Sequence, residues 1–212
     1  MYIIYYKMVF VNTSEQMGQN ILTLLFLFLF YDIIQNNKEV IKMKCLIAYA
    51  SITGNTEKVA NAIYDAIPVE KKIKKISNEP IDVNDYDVVF VGYWVDRGSC
   101  SAQVATFLSH LHNKKVAIFG TMGSSTDGTY GEDVSQTVRN LIPNDNTILG
   151  HFICQGKLQP ALKKQYEDSL RQDPNDIHVI TQLNNYEAGL THPDRVDLKQ
   201  AAIFGRNIIQ EV

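Results

Sequence analysis

From Lys44 onward the chain alternates between short apolar runs and amphipathic stretches. The runs "CLIAYA" (45–50), "DVVFVGY" (87–93), "KVAIFG" (115–120) and "TILGHFIC" (147–154) predict buried strands. "KKIKKI" (71–76), with four lysines to two isoleucines, predicts a polar strand at a sheet edge. Between them lie helical patterns. "EKVANAIYDAI" (57–67) spaces Val59, Ala60, Ile63 and Ile67 along one helix face, and "SAQVATFLSHL" (101–111) does the same with Val104, Phe107, Leu108 and Leu111. "GEDVSQTVRNLI" (131–142) carries Glu132 and Asp133 near its start, where carboxylates favour a helix. "PALKKQYEDSLRQ" (160–172) and "DRVDLKQAAIFGRNII" (194–209) complete the helices, with Pro160 and Pro193 at or near their starts.

Strands that are apolar throughout must be covered on both faces. The alternation therefore predicts an α/β fold: a three-layer, doubly wound sandwich around a five-stranded parallel sheet, order 2-1-3-4-5. In such a sheet the loops leaving the strands gather at one edge, where ligands bind at the reversal of strand order.

Residues 1–42 break this pattern. The stretch "ILTLLFLFLFYDII" (21–34) is intensely apolar but shorter than the roughly 20 residues a membrane helix needs. Its length suits the core of a signal peptide, yet the basic start and the small-residue cleavage site are lacking. A third reading concerns translation. "KEVIKMK" (38–44) can be encoded by bases that include a bacterial ribosome-binding sequence, suitably spaced before a start codon at Met43. The favoured expectation is a non-globular leader over 1–42, from a start codon assigned too early, and a globular domain over 43–212. A membrane- or partner-binding segment and a signal peptide are the alternatives, and no membrane span is expected.

Bulk composition narrows the classes. The 212 residues are 45% hydrophobic, enough for a substantial core, and the net charge of −3 argues against a nucleic-acid binder. Cys45, Cys100 and Cys154 are widely separated, with no CxxC pair to suggest zinc or a redox dithiol. Cys45 and Cys154 lie in apolar runs and read as core thiols, so a reducing, cytoplasmic compartment is expected.

Candidate chemistry concentrates in "SITGNT" (51–56), in the first strand-to-helix turn. The helix beyond it presents unpaired N–H groups and a partial positive charge, a ready anion site. Gly54 lets the backbone curl around a ligand, and Ser51, Thr53, Asn55 and Thr56 add neutral donors. The loop lacks the lysine of a Walker A motif and the three glycines of a dinucleotide fingerprint. A plain helix cap needs one such residue rather than three hydroxyls around a glycine.

"SITGNT", directly after the first strand, resembles the [ST]-x-T-G-x-T phosphate loop of flavodoxins at every fixed position. The resemblance covers residues 43–212. It implies a flavodoxin-like fold that binds flavin mononucleotide (FMN), with the phosphate held by Ser51, Ile52, Thr53, Gly54, Asn55 and Thr56. It also places the flavin ring between the loops after the third and fourth strands. In "GYWVDRGSC" (92–100) this designates Tyr93, Trp94, Val95, Arg97 and Gly98, with Tyr93 and Trp94 as the aromatic pair against the ring. Aromatic packing disfavours the doubly reduced anion and lowers the potential. Arg97 either pairs with Asp96 at the surface or raises the potential from beside the ring. In "FGTMGSSTDGTYGED" (119–133) the ring contacts are Thr121, Met122, Gly123 and Ser124. Met122 stands where many flavodoxins carry an aromatic, so stacking on the outer ring face is lost or replaced by softer packing.

"GYWVDRG", "CQGK" (154–157) and "THPD" (191–194) together resemble a subgroup of short bacterial flavodoxin-like proteins that includes a companion of bilirubin reductase. That resemblance implies electron transfer to a larger tetrapyrrole reductase. The leading expectation is an electron carrier, a monomer or weak dimer, passing electrons from a reductase to a client oxidoreductase. The alternatives are a flavin-dependent NAD(P)H-linked reductase with its own small substrate and a non-redox module that binds a phosphate ligand. No catalytic residue is assigned and no metal set emerges. His110 and His112 read as cations at a helix C-terminus. Lys157 occupies the place of the receiver-domain lysine, but "AYAS" (48–51) lacks the carboxylates such a domain needs.

Overall fold

A computed structural model describes residues 43–126 and 128–212. The expected leader over 1–42 lies outside the described residues. The elements in chain order are β1 (Lys44–Tyr49), α1 (Asn55–Ala66), β2 (Glu70–Lys75), β3 (Val88–Asp96), β4 (Ser99–Cys100) and α2 (Ala102–Ser109). They continue with β5 (Lys115–Met122), α3 (Tyr130–Arg139), β6 (Thr147–Gln155), α4 (Pro160–Gln172), α5 (Ile177–Ala188) and α6 (Arg195–Gln210). The five long strands pair in parallel in the order β2-β1-β3-β5-β6. That is the predicted 2-1-3-4-5 once the two-residue β4, antiparallel to β3, is set aside.

Period-two alternation sends successive strand residues to two separate cores. Leu46, Ala48, Val89, Val91, Val116 and Ile118 face Val104 and Leu108 of α2 and Val134 and Val138 of α3. Cys45, Ile47, Val88, Phe90, Ala117 and Phe119 face Val59 and Ile63 of α1 and Ala201 and Ile208 of α6. Burying each of the larger aliphatic or aromatic side chains contributes about 1.5–3 kcal/mol. On the second face α6 lies close against α1: a Cβ at Gly205 would sit 3.0 Å from Ile63 Cγ2. β2 exposes lysines along its length, which discourages pairing with another chain.

Three local features differ from expectation. β3 runs to Asp96, so Tyr93 to Val95 are strand residues rather than loop. Arg97 (φ 48°) and Gly98 (φ 81°) form the two-residue turn between β3 and β4. Positive φ at both central positions is the geometry that suits the twist of a hairpin. Finally, residues 177–188 form a helix that the sequence pattern does not announce. Its start is fixed by Asp176, whose carboxylate accepts from Val179 N at 3.0 Å.

Candidate functional site

The loop from β1 to α1 lies at the C-terminal edge of the sheet. Helix α1 begins at Asn55, so the last two residues of "SITGNT" already belong to its first turn. Its N-cap is Gly54, at φ 84°, and no side chain caps the helix. The first-turn N–H groups therefore remain available to an anion. Two internal hydrogen bonds shape the loop and a third ties it to β5. Ser51 Oγ accepts from Gly54 N at 3.1 Å, and Asn55 Nδ2 donates to Thr53 Oγ1 at 2.9 Å. Thr56 Oγ1 lies 2.9 Å from Thr121 Oγ1. Thr53 is exposed, and a hydroxyl that already accepts a bond keeps its own proton to donate. Thr56 is fully buried beneath the loop.

Beside this loop opens a cavity of about 1030 Å³. It is lined by Ile52, Thr53 and Asn55 of the loop and by Trp94, Val95, Asp96 and Arg97 of the β3–β4 hairpin. Thr121, Met122, Gly123 and Ser124 of the β5–α3 loop also line it. Ten of the fifteen predicted residues thus meet around one space. Ser51, Gly54, Thr56, Tyr93 and Gly98 do not line it.

The aromatic pair is divided. Tyr93 and Trp94 are neighbours on one strand and point to opposite faces. Trp94 reaches the cavity, whereas Tyr93 is 0% exposed and packs in the α2–α3 core. The Tyr93 hydroxyl lies 3.0 Å from His151 Nε2. Burial raises the Tyr93 phenol above its ordinary range. Burial, with the Arg139 charge nearby, pushes the His151 imidazole down to about 3. Among the described residues, His151 Nδ1 and Arg139 Nε are buried without hydrogen-bond partners. Met122 is 2% exposed at the cavity floor, its methyl 3.2 Å from where a Gly131 Cβ would stand. Arg97 is exposed on its turn and forms no ion pair with Asp96 among the described residues.

The remaining wall comes from segments to which the sequence reading gave no site role. Leu162 and Tyr166 of α4 line the cavity, as do His178, Thr181, Gln182 and Asn185 along one face of α5. Tyr130 adds a further aromatic at the rim. Spacing of i, i+3, i+4 and i+7 in "HVITQLNN" was the available signal, but that face is polar rather than apolar. The tail of β6 ties these parts together. Gly156 N donates to Met122 O at 2.8 Å, and the buried Gln155 Nε2 donates to both Gly123 O and Asn185 O at 3.2 Å.

Two groups outside the cavity have structural explanations. His192, Asp194 and Asp197 bring ligand-type atoms within 4.8 Å of one another. The same atoms build the capping box of α6, with His192 Nδ1 2.5 Å from Asp197 Oδ2. His110 Nδ1 lies 2.7 Å from Thr106 O at the end of α2, while His112 pairs with Asp145 at 2.8 Å instead of capping the helix.

A neutral donor loop, an uncapped helix N-terminus and a space bounded by Trp94 fit a phosphate monoester joined to a planar ring. The chain belongs to the flavodoxin family: residues 46–205 match the Flavodoxin domain. A "Flavodoxin-like domain-containing protein BilS" of Clostridioides difficile (strain CD3) is 45% identical over 170 residues, covering 79% of this chain and 97% of the relative. A protein of the same description from Clostridium symbiosum (strain WAL-14163) is 25% identical over 186 residues, covering 80% and 96%. Among solved structures, a flavodoxin of Streptococcus pneumoniae TIGR4 has the same fold, with a TM-score of 0.51 at 14% identity. That alignment covers 80% of this chain and 99% of the other. Among the described residues no helix is long and apolar enough to cross a membrane.

Proposed function

We propose that this flavodoxin-family flavoprotein binds FMN and carries electrons from a reductase to a client oxidoreductase in the cytoplasm. The observation that carries the reading is one cavity lined by both a neutral phosphate-type loop and Trp94. FMN, when bound, takes up and releases one or two electrons. Thr53 and the N–H groups of the α1 N-terminus, beginning with that of Asn55, would hold its phosphate. Trp94 would pack against the ring, and the Met122–Ser124 segment, pinned through its carbonyls by β6, would offer N–H groups to the ring edge. Among the described lining residues only Asp96, in the β3–β4 hairpin, is a carboxylate. No residue is needed for acid–base catalysis in electron transfer.

The client we propose is a tetrapyrrole reductase of the bilirubin-reducing kind, a reading supported by the motifs "GYWVDRG", "CQGK" and "THPD". The wall built by α4 and α5 favours a second reading, a reductase that seats its own small substrate beside the ring. The test is direct. Purified protein incubated with FMN should bind one flavin and turn yellow. After reduction, its flavin should reoxidise rapidly only when the client and the client's substrate are both added. Protein that takes up no flavin would sink both readings. Steady turnover of NAD(P)H with a small acceptor and no second protein would favour the second.

A further inference from the structure

Lys157 carries no role in the reading above, although it lines the same cavity. Its backbone is fastened on both sides. Its N–H donates to His192 O at 3.0 Å, and its carbonyl accepts from Asn55 Nδ2 at 2.8 Å. Asn55 is the residue that also donates to Thr53 Oγ1. The segments meet closely, since a Cβ at Gly156 would stand 2.9 Å from Asn55 Nδ2. One hydrogen bond therefore separates the Lys157 backbone from the phosphate-type loop, across 102 residues of sequence. The loop itself holds no cation, and among the described residues the Lys157 ammonium forms no ion pair. The other basic side chain of the cavity wall, Arg97, belongs to the β3–β4 turn.

From this juxtaposition we infer that Lys157 supplies the counter-charge for the phosphate dianion and determines the preference for a phosphorylated flavin over an unphosphorylated one. The inference rests on the proposal that FMN occupies the cavity. An ammonium is a compact point charge on a flexible stem, suited to a phosphate at a half-open rim, where it need not match a fixed fork geometry. The neutral donors orient the phosphate, and Lys157 offsets its charge.

The experiment compares FMN with riboflavin, read by quenching of flavin fluorescence on binding. Wild type, Lys157→Met, Lys157→Arg and Lys164→Met are titrated at low and high salt. Lys164 is exposed on α4 and does not line the cavity, so its variant removes one positive charge elsewhere. Lys157→Met is expected to bind FMN roughly tenfold more weakly and to bind riboflavin unchanged. Its FMN affinity should also lose most of its salt dependence. Lys157→Arg should restore most of the difference, and Lys164→Met should behave as wild type. Unchanged FMN affinity in Lys157→Met would overturn the inference and leave the flavin site standing. An equal loss for FMN and riboflavin would overturn it too, because it would mark a purely structural role. Failure of the wild type to bind FMN would remove the functional reading and the inference with it.

Discussion

Thr53 and Thr56 stand three residues apart and face different surroundings. Thr53 is exposed at the cavity with its oxygen engaged by Asn55, so its proton is free for a phosphate. Thr53→Ala should weaken FMN binding by about 1.5–3 kcal/mol, the range for a hydrogen bond to a charged group, as read by flavin titration. Thr56 is buried against Thr121. Thr56→Ala leaves that hydroxyl unpaired and should lower folding stability by about 1–3 kcal/mol, measured by denaturant unfolding of the flavin-free protein. Both threonines are equivalent in the written motif; their division of labour depends on Thr121, which enters from another strand. Tyr93 is a different case. The rule that adjacent strand residues face opposite ways applied to the sequence itself, and it forbids Tyr93 and Trp94 from sharing one cavity. What hid this was the extent of β3, whose last residues read as a loop because "DRG" follows so closely.

At the level of elements, the sheet and the helices packed on it were legible because continuous apolar strands and amphipathic helices leave strong periodic signals. The polar edge strand and its position were legible for the same reason. The pair α4–α5 was only half legible. No residue of α4 is buried, and α5 buries only Val179 and Tyr186, so apolar periodicity has little to mark. Asparagine and threonine in "TQLNN" also favour non-helical local hydrogen bonds. Gln155 fastens α5 to the tail of β6 through Asn185 O, while the exposed ion pair of Lys163 with Glu187 only links α4 to α5 and adds little. Amide hydrogen exchange should therefore open α4 and α5 well before α1 and the central strands. Adding FMN should slow exchange in α5 more than in α2, because α5 lines the cavity and α2 does not. Equal protection of α5 and α1 in the flavin-free protein would contradict this picture.

For the whole molecule, the two cores set the response to pH and to thiol reagents. The His151 imidazole is held down to about 3 by burial and by Arg139, against an ordinary value of 6.5. It stays neutral when folded and takes up a proton on unfolding between those values. Stability is therefore full above about pH 6.5 and falls as pH drops, by up to about 1.4 kcal/mol per pH unit from this group. Unfolding free energies at pH 7, 5 and 4 should show this slope, and His151→Asn should flatten it. Cys45, Cys100 and Cys154 are all buried, and burial raises their thiols, Cys45 to about 12. Each should resist a thiol reagent at pH 8 in the native protein and react once denaturant is added. Rapid native labelling of any one would show that its core opens locally.

The bond from Asn55 to Lys157, and the seat of α6 against α1, also bear on how the protein is made. A nascent chain that has emerged only as far as β5 already carries its hydroxyl loop, but not the tail of β6 that braces Asn55. Helix α6, which covers part of the second core, follows β6 later still in the chain. A chain made only as far as β5 should therefore hold FMN more weakly than the full sequence, which flavin binding to stalled nascent chains of the two lengths would measure.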